Sequence, residues 1–162
     1  MHPLVRAMVV PFCMVLFPAL HYVFGTFGWE QSEYLILGTV GAVLTAAIVA
    51  GGIAWFRNRD RTRPRDLPRP QRILQPDDIA IRLFVLFVGI SLLWGAVSLI
   101  PSTPEWIDLF VTLLVIPLGL PLLILSPLVI GFQWAVIAGY VLSVLWMALL
   151  ATLGADVIYA RT

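Results

Sequence analysis

The sequence predicts an all-α fold, a polytopic bundle of transmembrane helices forming a single domain over residues 1–162. Two observations carry this. The chain is 60% hydrophobic, with only 12% charged residues, and a soluble fold of this size could not bury that excess. Its apolar residues also fall in long runs free of charge, which a bilayer core demands.

The first run covers residues 7–27 and follows a short basic lead ending at Arg6. Such a lead and apolar run resemble a signal peptide. No clear small-x-small cleavage pattern follows, so a retained first span is expected. Pro11 and Pro18 interrupt it. A polar break with Glu30 and Glu33 separates it from the second span, 34–56, which carries no charge. At 1.5 Å per residue, such a segment covers a hydrocarbon core of ~30 Å.

A polar loop follows at 57–78. Arg57, Arg59, Arg61, Arg63, Arg65, Arg69 and Arg72 lie within it, with Pro64, Pro68 and Pro70. The prolines forbid one continuous helix, and few apolar residues are available to fold the segment. An extended loop is expected, contacting anionic lipid headgroups through these arginines or serving only as a topology signal. Pro76, Asp77 and Asp78 mark the next helix start, with Asp78 and Arg82 spaced to pair on one face. The third span is expected over 79–100.

Thr103, Pro104 and Glu105 form a second helix start, with Thr103 as the N-cap. No Asp, Glu, Lys, Arg or His occurs from Leu109 to Ala155. Two spans fit there, at 106–125 and 132–157, with Ser126, Pro127 and Gly131 as turn residues. Pro117, Gly119, Pro121 and Pro127 break the helical ladder of the first of these. The alternative is four spans plus a re-entrant hairpin at 106–131.

Five spans and the positive-inside rule place the N-terminus and the arginine loop in the cytoplasm and the C-terminus outside a cell membrane. Nine of ten arginines then lie inside, against four aspartates, while five acids, Asp156 among them, lie outside.

Span two carries small residues at every fourth position: Gly38, Ala42, Ala46, Ala50 and Ala54. Gly41, Thr45 and Gly52 form an adjacent stripe. Gly139 and Ser143 repeat the pattern in the last span. Small residues let helix backbones approach closely in lipid. These positions are expected to pack helix against helix, within one bundle or between chains.

Candidate chemistry is sparse. Intramembrane ionisable groups are the usual pointers to function, and His21 alone lies well within a span. A hydrogen-bonded His near the headgroups is expected there. The single Cys13 forms no intrachain disulfide or CxxC pair and reads as a small hydrophobe. No protease, phosphate-loop or metal pattern occurs, so no catalytic residue, cofactor or metal ligand is assigned and no enzyme is expected. The arginine run lacks the interleaved aromatics that single-stranded nucleic acid would want. The expected partners are the lipid bilayer, further copies of the chain, or other membrane subunits. The expected role is a structural or assembly subunit acting through helix packing. The alternative is a small transporter or channel component that uses the proline-broken segment, since freed carbonyls coordinate ions in such proteins.

Overall fold

The computed structural model describes residues 3–27, 32–57, 69–98, 104–129 and 133–161. They form seven helices: α1 (Pro3–Phe27), α2 (Ser32–Arg57), α3 (Arg69–Leu74), α4 (Asp78–Ser98), α5 (Glu105–Val115), α6 (Leu120–Val129) and α7 (Gln133–Arg161). Four of them contain stretches long and apolar enough to cross a membrane: Leu4–Thr26, Glu33–Phe56, Asp78–Gly95 and Trp134–Arg161. These correspond to the first, second, third and fifth expected spans.

The fourth expected span is not one continuous helix. Residues 106–125 divide between α5, of 11 residues, and α6, of 10. Each reaches only about 15 Å, half of a ~30 Å hydrocarbon core. The physical cause is proline. Pro117 and Pro121 have no N–H to give, so the carbonyls four residues earlier lose their helical donors. The chain turns instead, with the N–H groups of Leu118 and Gly119 both donating to Val115 O at 2.9 Å. Ser126 and Pro127, expected in a turn, belong to α6, and Gly131 lies outside the described residues.

The expected extended loop also contains structure. Arg69–Leu74 is a short helix. Pro70 is tolerated because it sits in the first turn, where an N–H would have no helical partner. At the next helix start, Asp77 is the cap. Its Oδ1 accepts from the Ala80 N–H at 2.9 Å, satisfying one of the orphan donors of the first turn. Pro104, rather than Thr103, precedes α5, with no side-chain cap; Thr103 lies outside the described residues.

The core joins α1, α4, α7 and the broken segment. Val10 and Cys13 of α1, Phe84 of α4, Leu118 of the turn, and Val144, Met147, Ala148 and Ala151 of α7 form one buried cluster. α2 stands outside it and packs chiefly on α1.

Candidate functional site

The arginine-rich end of the bundle gathers residues far apart in sequence. Arg72 of α3 donates to Asp156 Oδ1 of α7 at 2.7 Å, and its guanidinium lies 3.7 Å from Asp77 Oδ2. Arg72 and Asp77 are largely buried. Beside them Arg6 of α1 pairs with Asp78 at 2.6 Å. Asp78 therefore turns to Arg6 rather than to the expected Arg82. A charge taken out of water is tolerated when it is paired and hydrogen-bonded. One arginine shared by two aspartates meets that condition while joining α3, α4 and α7. The five-span reading placed Arg72 and Asp156 on opposite faces of a bilayer; here they share an ion pair.

At the other end of α1, His21 Nδ1 lies 3.1 Å from the hydroxyl of Tyr140, seven residues into α7 from Gln133. The imidazole tautomer decides which group donates. The expected hydrogen-bonded histidine thus has a tyrosine as its partner. Among the described residues no three His, Cys, Asp or Glu side chains gather as a metal site would require.

The proline break is held by two tryptophans. Trp146 Nε1 of α7 donates to Pro117 O at 2.9 Å. That carbonyl is the one Pro121 leaves without its helical donor, so the indole restores the lost bond. Trp94 Nε1 of α4 donates to Thr112 Oγ1 of α5 at 3.0 Å. Beside the break, an open groove of about 440 Å³ is lined by Ile73, Leu74, Pro121, Leu142, Leu145, Trp146 and Leu149. Its walls are apolar.

The small-residue ladder occupies one face of α2. Ala42, Ala46, Ala50 and Ala54 are buried, and Gly38 is half-buried. Since α2 packs chiefly on α1, this face is the α1–α2 seam. The neighbouring stripe of Gly41, Thr45 and Gly52 is exposed, and a Cβ built on either glycine meets nothing within 4 Å. On α7, Gly139 and Ser143 are buried. Gly139 faces α6: a Cβ there would lie 2.6 Å from Leu122 Cδ1, the end of that side chain. The Ser143 hydroxyl is buried without a hydrogen-bond partner.

Of the predicted lipid-contact arginines, Arg72 is placed in the ion-pair cluster. Arg57 ends α2 and Arg69 begins α3. Arg59, Arg61, Arg63 and Arg65 lie outside the described residues. Sequence reasoning missed the Arg72–Asp77–Asp156 cluster. The available signal was an acid, Asp156, near the end of a long apolar run that already ended close to an arginine, Arg161.

No family model, curated protein or solved structure matches this chain.

Proposed function

We propose that this chain is a small integral membrane protein that works as a structural or assembly subunit, binding a second copy or another membrane subunit by helix packing. One observation carries the reading. α2 uses its alanine ladder on α1 and leaves the Gly41–Thr45–Gly52 stripe open on its outward face. A stripe without bulk lets another helix approach closely, and dispersion and backbone contact then drive association.

The arrangement in the bilayer that fits best has four spans, α1, α2, α4 and α7, with α5 and α6 as a re-entrant pair. Two ion pairs support it by gathering the start of α1, the start of α4 and the end of α7 at the arginine-rich end. The His21–Tyr140 contact supports it from the opposite end. So does the course of α6: Pro117 lies against Trp146, whereas Leu122 lies against Gly139, nearer the start of α7. Both termini then lie on the cytoplasmic side with the arginines. The arginine run faces anionic headgroups there.

The transport reading draws on the same broken segment. The apolar groove and the capped Pro117 carbonyl favour packing over ion coordination, because ion sites in broken helices use free carbonyls.

The test is cross-linking in native membranes. With Cys13 replaced by Ala, Thr45→Cys should yield a disulfide dimer or a defined heteromer, and Gly41→Leu with Gly52→Leu should abolish it. A chain that stays monomeric in membranes and purifies without a partner overturns the assembly reading. A reporter fused after Thr162 tests the topology, with a cytoplasmic signal expected.

A further inference from the structure

The six residues of α3 lie between Pro70 in its first turn and Pro76 just past its end. A helix this short does not hold itself in water, because nucleation costs more than one turn of hydrogen bonds returns. Docking holds it instead. Ile73 and Leu74 lie half-buried against the core cluster and form one wall of the apolar groove beside the proline break. Arg72 supplies the polar half of the attachment, through Asp156 at 2.7 Å and Asp77 at 3.7 Å.

The long helices at this end are fastened by contacts of their own. Arg6 of α1 pairs with Asp78 of α4 at 2.6 Å. Asp77 Oδ1 caps α4 through the Ala80 N–H. Val10, Phe84, Val144 and Ala148 join α1, α4 and α7 in the buried cluster. The docked position of α3 also carries a cost. Asp77 Oδ2 is buried with no hydrogen-bond donor, and an unsatisfied buried oxygen disfavours the state that buries it. Asp156 is a third exposed, so solvent competes for its share of Arg72.

We infer that α3 is a strap, latched by Arg72 to Asp77 and Asp156, which undocks as a unit while α1, α4 and α7 stay packed. In the closed state Ile73 and Leu74 wall the groove beside Leu145 and Leu149. Undocking removes that wall and opens the groove at the arginine-rich end, and it lets water reach Asp77 Oδ2. Local opening of this kind belongs to segments with few buried apolar contacts. The device is separate from assembly through α2.

Distances between paired spin labels on the full-length chain, reconstituted in phosphatidylcholine vesicles, test this. Cys13 is replaced by Ala. Gln71→Cys with Val157→Cys, both at exposed positions, carries labels that report on α3 against α7. Val5→Cys with Val157→Cys, also exposed, reports on α1 against α7. The parent should show mainly the short, docked Gln71–Val157 distance. Arg72→Ala should raise the ratio of long to short distances about tenfold, equivalent to about 1.4 kcal/mol. Asp156→Asn leaves Asp77 with its cation and should raise the ratio about threefold, as a partly exposed ion pair carries. The Val5–Val157 distance should stay unchanged in both variants. If Arg72→Ala does not fold, Asp156→Asn decides alone. A Gln71–Val157 distribution that the variants do not move overturns the latch. Parallel changes in both label pairs overturn the strap, because the cluster then clamps the whole bundle.

Discussion

Arg72 and Asp156 stand 84 residues apart in the chain and 2.7 Å apart in the fold. Their ion pair ties the short helix α3 to the last turns of α7. Because Arg72 also faces the buried Asp77 Oδ2, removing it leaves a buried carboxylate oxygen with no cation nearby. Arg72→Ala should destabilise the fold by about 1–3 kcal/mol, the desolvation cost of an orphaned buried polar group. Asp156→Asn should cost less, since Asp156 is a third exposed and solvent replaces part of the interaction. Thermal unfolding in detergent measures both. Equal stability of Arg72→Ala and the parent would show that the cluster contributes nothing to the fold.

The indole of Trp146 stands in for the amide that Pro121 lacks. Trp146→Phe should therefore cost about 0.5–1.5 kcal/mol, the net worth of one hydrogen bond. Pro121→Ala supplies the N–H that a continuous helix would direct at the same carbonyl. In the Pro121→Ala background the cost of Trp146→Phe should shrink. A double-mutant cycle with no coupling between the two positions would refute this account.

Gly139 faces Leu122 across the contact between α6 and α7. A methyl group there meets only Leu122 Cδ1, the end of a rotatable side chain, but a larger side chain must also displace the α6 backbone beside it, so Gly139→Leu should lower the unfolding temperature, with an overpacking cost of about 1–3 kcal/mol. Leu122→Ala in the same chain removes the obstructing atom and should recover part of the loss. Failure of the second change to help would place the strain elsewhere.

The two faces of α2 should respond differently to bulk. Ala50 is fully buried on the α1 side, so Ala50→Leu should destabilise the monomer by overpacking, by about 1–3 kcal/mol. Gly52 faces open space, so Gly52→Leu should leave monomer stability unchanged while reducing association. Monomer unfolding and cross-linking yield, measured on the same preparations, separate the two effects. Loss of stability in Gly52→Leu would show that this face is already occupied within the chain.

Much of the fold was legible in the sequence because the bilayer is a severe solvent. A charge-free run of twenty residues has few alternatives to a helix, since every backbone polar group must be satisfied within the segment. The apolar runs therefore marked α1, α2, α4 and α7. The fourfold spacing of Ala42, Ala46, Ala50 and Ala54 marked a packing face before any partner was known. The prolines at 117 and 121 marked where the ladder must fail.

The tertiary structure decided what those features meet. Proline spacing shows which carbonyl loses its donor, but only the fold brings Trp146 to Pro117. Composition counts arginines and acids, yet it does not pair Arg72 with Asp156 or Arg6 with Asp78, because such contacts arise from how whole helices align. The sequence by itself determined which segments are apolar helices, since that depends on each segment and its solvent. Only the tertiary structure decided that α6 packs on α7 and that the end of α7 returns to Arg72, since both depend on contacts between segments distant in the chain.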